Sequence, residues 1–354
     1  MARITAGTAT TDSFGLRAWQ AVRAINPVYF IALVLLVWVG FRNPAFYQPD
    51  NFLTFLQRAA PLMILTAGQV FVLVSGGFDL SVGSVVTSTV IIGAILANND
   101  PGATWWVILA LLAGGLLIGL INGAVTTYLK VPSLIATLGM LLMARGVGLY
   151  WSGGAPRGYL PDNFRMWGRG GIEGLFGLRD FPYAVIVLVV FGVGYWLLLH
   201  KLNYGRQLLA LGDNPRAARL SGVNVNLMRI SAFVLCSMTA VIGGILLGGR
   251  GGVSIETGTG LEMQTIAAAV LGGTMLLGGR GSIPAAMAGA LALELLFTLL
   301  NLLGLPKPLR DAYATAGSGP EQGLHTSPRC ASDNESPMSG HLSAMPWWLL
   351  PHSK

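Results

Sequence analysis

Charge is scarce in this sequence. Asp, Glu, Lys and Arg make up 10% of its 354 residues, where soluble domains carry about 25%. With 53% hydrophobic residues and a mean hydropathy of +0.63, the chain reads as a polytopic membrane protein. Two cysteines, Cys236 in an apolar run and Cys330 far from it, make neither a disulfide framework nor a metal site. The histidines His200, His325, His341 and His352 lack ligand spacing. Only Lys130, Lys201, Lys307 and Lys354 supply lysine, and none closes a GxxxxGKS or GxxxxGKT phosphate loop. GxSxG and HExxH are missing too. No catalytic, cofactor-binding or metal-binding residue is therefore named, and any ATP-driven step has to draw on another polypeptide. The net charge of +7 fits basic loops against an anionic membrane leaflet and requires no nucleic acid.

What is present is apolar and segmented. Nine runs are long enough, or nearly so, to span a bilayer: Ile25–Phe41, Ala59–Gly76, Leu80–Ala97, Trp105–Leu129, Pro132–Trp151, Phe181–His200, Asn226–Gly249, Glu262–Leu277 and Ser282–Leu305. Two are weak. Leu80–Ala97 is interrupted by Ser81, Ser84, Thr87, Ser88 and Thr89, and Glu262–Leu277 is short and ends in glycines. Segments like these need protein around them, since lipid cannot satisfy polar backbone. The expected fold is an all-α bundle of about nine spans with broken or re-entrant helices.

Loop charge orients the bundle. Met1–Ala24, polar and without a cleavable signal pattern, and the basic Lys201–Arg229 stretch both belong in the cytoplasm. Six spans separate them, so the two assignments agree. The Asn98–Thr104 loop falls outside. So does Ser152–Asp180, although it carries Arg157, Arg165, Arg169 and Arg179 against the charge rule. The organisation expected is a cytoplasmic segment over 1–24, a membrane domain over 25–311 with a cytoplasmic loop at 201–225, and a tail over 312–354. That tail is polar and aperiodic, which predicts disorder.

Small residues mark packing faces: Gly115, Gly119 and Gly123 recur every four positions, as do Gly244 and Gly248. The hexapeptide LLGGRG occurs twice, at Leu246–Gly251 and Leu276–Gly281, and reads as a pair of ordinary turns or of broken helices. Ionisable residues in or beside the apolar runs are Asp79, Arg145, Glu262 and Glu294. Charge at membrane depth costs several kcal/mol, so each is paired or lines water. Gly76-Gly77 breaks one helix and Asp79 is placed to cap the next; substrate contact is the other reading of Asp79.

The most distinctive stretch is Gly205–Val225, GRQLLALGDNPRAARLSGVNV, a basic island between two long apolar runs. Leu208, Leu209 and Leu211 give way to a Gly212-Asp213-Asn214-Pro215 turn, and a short helix over Arg216–Ser221 follows, capped by Asp213 or Asn214. The island reads as a docking element, or as a loop that only obeys the charge rule.

Three stretches together, SGGFDLSVGSV (Ser75–Val85), NGAVTTYLKVPSLIATLGMLLMARG (Asn122–Gly146) and the island itself, resemble the permease subunits of bacterial ABC importers for ribose, xylose, galactose and related monosaccharides. LEMQTIAAAVLGGTMLLGGRGSI (Leu261–Ile283) is similar to the same family, and the likeness covers about residues 25–312. The resemblance implies a ten-helix, multi-pass protein of the bacterial inner membrane, in contact with its lipid. It implies as partners a second permease copy, an ABC ATPase subunit and a periplasmic sugar-binding protein, with a monosaccharide as cargo. It assigns the island to ATPase coupling, through Gly212, Asp213, Asn214, Pro215, Ala217, Ala218, Arg219, Ser221 and Gly222. Gly76, Gly77, Asp79, Ser81, Gly83, Ser84, Asn122 and Arg145 fall in the first two stretches and are the candidates for a translocation pathway or a helix break. One departure stands out: where the family continues into a last span, this chain turns polar. A frameshifted reading frame or a genuine lineage-specific ending would each produce that. An ion-coupled carrier without a docking loop, or a non-transporting scaffold, are the alternatives.

Overall fold

Each of the nine apolar runs folds as a helix in the computed structural model, which describes residues 26–175 and 180–304. The helices are α1 (Pro27–Arg42), α2 (Pro49–Val74), α3 (Val82–Ala97), α4 (Thr104–Tyr128), α5 (Ser133–Ser152), α7 (Tyr183–His200), α10 (Val225–Gly251), α11 (Leu261–Leu271) and α12 (Ile283–Leu302). Between them lie α6 (Asp162–Arg169) and the pair α8 (Asn203–Asp213) and α9 (Pro215–Leu220). Six helices are long and apolar enough to cross a membrane, while α1, α3 and α11 are shorter apolar ones. The tail at 312–354 and the segment 1–24 lie outside the described residues. One feature departs from an all-α reading: β1 (Gly171–Glu173) pairs antiparallel with β2 (Asp180–Pro182), Gly171 opposite Pro182.

Helix starts follow from side chains that accept the orphan N–H groups of a first turn. Asn26 accepts from Val28 N with Pro27 at the first position of α1, and Asn224 accepts from Leu227 N in α10. The axis of the bundle is α2, buried from Ala59 to Val74. Beside it runs α10, close enough that a Cβ on Gly68 would overlap the Thr239 hydroxyl. The outward faces of α1, α4 and α7 stay apolar and exposed, as Phe30, Leu109 and Val190 illustrate. Such faces suit acyl chains.

Contacts sort the chain ends of the helices into two groups. At one end, Asn99 N donates to Tyr159 O (2.9 Å), Thr104 Oγ1 to Asn163 Oδ1 (2.6 Å), and Arg165 Nε to Gly249 O (3.4 Å). Arg169 pairs there with Asp162. Two of the awkward arginines of Ser152–Asp180 therefore have local partners. At the other end, Asn26 Nδ2 donates to Gly272 O (2.7 Å), Gly279 N to Val74 O (3.0 Å), and Ile283 N to His200 Nε2 (3.4 Å). The two LLGGRG copies sit at opposite ends in different structures. The first is the last turn and a half of α10; the second is a loop with Gly278 at φ 90° and Gly279 at φ 80°.

The glycine faces are seams. Gly115, Gly119 and Gly123 of α4 pack against α10, where a Cβ on Gly119 would stand 2.6 Å from Val234 Cα and 2.9 Å from Phe233 O. Those are backbone atoms and cannot yield. Gly244 meets Thr89 and Val86 of α3 in the same way. Gly114, one position from the seam, faces open space. We expect Gly119→Ala to lower stability by about 1–3 kcal/mol through overpacking, and Gly114→Ala to hold or raise it. Thermal melting of the two variants in one detergent reads the difference; equal melting would mean that α4 and α10 do not pack through this face.

Candidate functional site

The chain breaks helix twice inside the bundle, and the two breaks touch. After α2 ends, Gly76 takes φ 81° and residues 75–81 run back along the helix they left. Gln69 Nε2 reaches Asp79 O at 3.2 Å, so Asp79 lies level with the last turns of α2 rather than beyond them. Non-helical backbone at such depth needs protein partners. It has them: Phe78 N donates to Ser133 Oγ (3.0 Å) and Leu80 N to Thr137 Oγ1 (3.1 Å), both on α5.

Asp79 is fully buried. Its Oδ1 accepts from Ser81 N (2.8 Å) and Ser81 Oγ (2.6 Å), and Asn122 Nδ2 donates to that hydroxyl at 3.0 Å. Asp79 is thus not the cap of α3. The cap residue is Ser81, whose hydroxyl makes no capping bond to the helix, and Asp79 closes the turn before it. The sequence could not separate these, because two residues of register decide which N–H a carboxylate reaches. Asp79 Oδ2 has no hydrogen bond and faces the Cys236 thiol. Cys236 Sγ in turn donates to Gln69 Oε1 (3.2 Å). Gln69 and Cys236 were not singled out from sequence, though a glutamine within a buried apolar run is a signal.

The second break is residues 252–260, bounded by Gly252 (φ 80°) and Gly260 (φ 82°). Gly258 N donates to Thr87 Oγ1 at 3.0 Å, which satisfies it from α3. A Cβ on Gly83 would overlap the Glu262 carboxylate and Gly258 O, so the start of α3 meets the second break backbone to backbone and the first turn of α11 through a side chain. Ser84, Thr87, Arg145, Thr259 and Glu262 line a cavity of about 40 Å³ there. Arg145 stands on the exposed face of α5, and Glu262 feels its charge. Glu294 lies within electrostatic range of Arg58 and Arg250. Gly76, Gly77, Asp79, Ser81 and Asn122 therefore form one cluster, and Gly83, Ser84 and Arg145 the next.

The island folds as a helical hairpin at the end of the bundle that carries His200 and Gly279. Asn214 caps α9, accepting from Arg216 N (3.0 Å) and Ala217 N (3.1 Å), with Pro215 at the first position. The expected turn at Gly212 is not there, since α8 runs through Asp213. Gly212 serves close approach instead: a Cβ on it would overlap Val74 O and Gly279 N. Buried Leu208 and Leu211 hold α8 to the bundle, and Tyr204 Oη bonds Ser231 Oγ at 3.0 Å. Burial pushes the Tyr204 phenol above its ordinary value, so it stays a neutral hydroxyl. Only Ala218 of α9 is buried. Asp213, Asn214, Ala217, Arg219, Ser221 and Gly222 face outward. Leu220 is 91% exposed and Leu277, in the Gly272–Ser282 loop, 86%. Neither was expected from sequence, because a leucine in such a stretch reads as core.

Asp79→Asn keeps the Oδ1 acceptor, and we expect it to melt within about 0.5 kcal/mol of the parent. Asp79→Ala strands the buried Ser81 N–H, at a cost of about 1–3 kcal/mol. Denaturation of both variants in detergent measures this. An Asn variant as unstable as the Ala variant would mean that the charge, and not the acceptor, holds the turn.

The profile for the permease component of branched-chain amino acid transport systems matches residues 51–316. The ribose import permease protein RbsC of Escherichia coli K12 is 37% identical over 276 residues, covering 77% of this chain and 84% of that protein. RbsC of Bacillus subtilis 168 is 36% identical over 280 residues, 77% and 83% of the two chains. The autoinducer 2 import system permease protein LsrC of Escherichia coli HS is 36% identical over 286 residues, 80% and 82%. No solved structure gives a significant match. An apolar helical bundle, two protein-buttressed breaks and a match over three quarters of its length carry one conclusion: the chain belongs to this family of importer permease components and is a multi-pass protein of the inner membrane.

Proposed function

We propose that this chain is the translocating subunit of an ATP-driven monosaccharide importer, coupled through α8 and α9 to a separate ATPase subunit. One observation carries the reading: the hairpin that presents Arg219 and Leu220 outward rests its Gly212 backbone on Val74 and Gly279. A load applied to α9 reaches the end of α2, and hence the first break, through backbone contact. Side chains need not transmit it. Alternating access then consists of α2 and α10 holding still while the two broken segments shift between inward- and outward-open arrangements.

The cargo reading is supported by the two ribose permeases among the relatives and by the chemistry of the breaks. Ser81, Ser84, Thr87 and Asn122 offer hydroxyls and amides, which suit a neutral polyol. The partners proposed are the ATPase, a second permease copy and a periplasmic sugar-binding protein; ATP hydrolysis is assigned to the ATPase alone.

The topology proposed has nine crossings, with the six long helices and α1, α3 and α11 each counted once. Lys130, Lys201, Arg206, Arg216, Arg219 and Arg280 belong to the hairpin end with Asp213, which supports a cytoplasmic position for that end. The membrane domain at 25–311 follows, with 1–24 cytoplasmic and 312–354 a separate tail.

Arg219→Glu tests the coupling. Reversing a charge at a buried interface costs about 2–5 kcal/mol, so the variant should reach the membrane folded yet fail to co-purify the ATPase or to accumulate sugar. Leu220→Ala should weaken both without abolishing them. Unimpaired uptake by Arg219→Glu would remove the hairpin from the coupling path.

A further inference from the structure

A cavity at the hairpin end opens beside the start of the first break, whose Ser75, Gly76 and Gly77 form one wall. It measures about 260 Å³ and lies between the end of α2, the α4–α5 turn and the start of α10. Lys130 and Arg229 line it together with Ser75, Thr126 and Ser133, and no acid does. Neither cation has an ion-pair partner among the described residues, and Arg229 is half-buried. Lys130 sits at φ 56°, in the left-handed region where glycine would stand without strain.

We propose that this cavity binds the phosphate of an anionic phospholipid from the cytoplasmic leaflet. Two cations and several hydroxyls around a volume of this size match a phosphodiester, which brings one negative charge and several acceptor oxygens. Free phosphate shares that chemistry. The lipid is favoured because the chain on both sides of the cavity is apolar and outward-facing: Tyr128 is 63% and Leu129 70% exposed before it, and Ile135 is 63% exposed after it. Those residues face the acyl chains, so a headgroup seated on Lys130 and Arg229 would have its tails beside them. Basic pockets between helices on the cytoplasmic side are the usual seats for such headgroups.

The full-length chain, purified in mild detergent, is equilibrated with equal amounts of phosphatidylglycerol and phosphatidylcholine, and retained lipid is quantified by mass spectrometry. A basic residue near the surface is worth about five-fold in anionic-lipid binding. The parent should retain phosphatidylglycerol over phosphatidylcholine by roughly twenty-five-fold. Lys130→Gln and Arg229→Gln should each cut the preference about five-fold, and the double variant should show none. The pair Arg206→Gln and Arg216→Gln, on the exposed hairpin at the same end, should keep it. Lys130 is exposed, so its variant folds even if the Arg229 change does not, and it alone decides the case. An unchanged preference in Lys130→Gln overturns the proposal. So does displacement of the lipid by millimolar inorganic phosphate, which would make the cavity a small-anion site, and so does an equal loss in the hairpin variant, which would reduce the effect to general surface charge.

Discussion

A backbone group in hydrocarbon has to find its partner inside the protein, and that constraint shapes everything around the two helix breaks. Residues 75–81 and 252–260 leave helical geometry between the helices of the bundle. Their N–H groups are met by Ser133, Thr137 and Thr87, three hydroxyls on neighbouring helices. A serine or threonine in a helix bonds its own preceding turn at little cost and can also turn to a neighbour. Thr137 does both, donating to Ser133 O while accepting from Leu80 N. The hydroxyls that weaken α3 as a span by hydropathy are thus part of what lets the breaks exist.

Length follows from the same constraint. At about 1.5 Å per residue, the 11 residues of α11 rise about 16 Å, roughly half of a hydrocarbon core near 30 Å. The rest of that crossing is the turn-rich stretch that precedes it. The α4–α10 glycine seam supplies rigidity where the breaks supply freedom, since backbones packed on one another have no rotamers to exchange. Placing the moving parts between such fixed parts gives a discrete shift, in which the breaks move and the seam does not.

Much of this was legible in the sequence. Apolar run length located nine helices, Pro215 and Asn214 located the start of α9, and four-residue glycine spacing located the seams. Each of these is a local signal with a single physical meaning. What escaped depends on distant neighbours. Gly212 reads as a turn until Val74 and Gly279 are known to press on it. LLGGRG is identical in its two copies, and only the partners of each decide between helix end and loop. Leu220 and Leu277 look like core because composition says nothing about which side of a helix lacks a neighbour.

The few charges at depth show how a neutral cargo and a membrane are reconciled. Glu294 feels the charges of two arginines, Arg58 and Arg250. Asp79 gives one oxygen to Ser81 and keeps the other against a thiol, away from water and lipid alike. Arg145 is different: it stands on the exposed face of α5, next to the cavity it shares with Glu262. A guanidinium exposed to acyl chains costs several kcal/mol. That cost assigns this face of α5 to water or to protein, while the apolar faces of α1 and α7 go to lipid. The exposed surface of the bundle therefore differs in kind between the place on α5 where Arg145 stands and the apolar faces of α1 and α7.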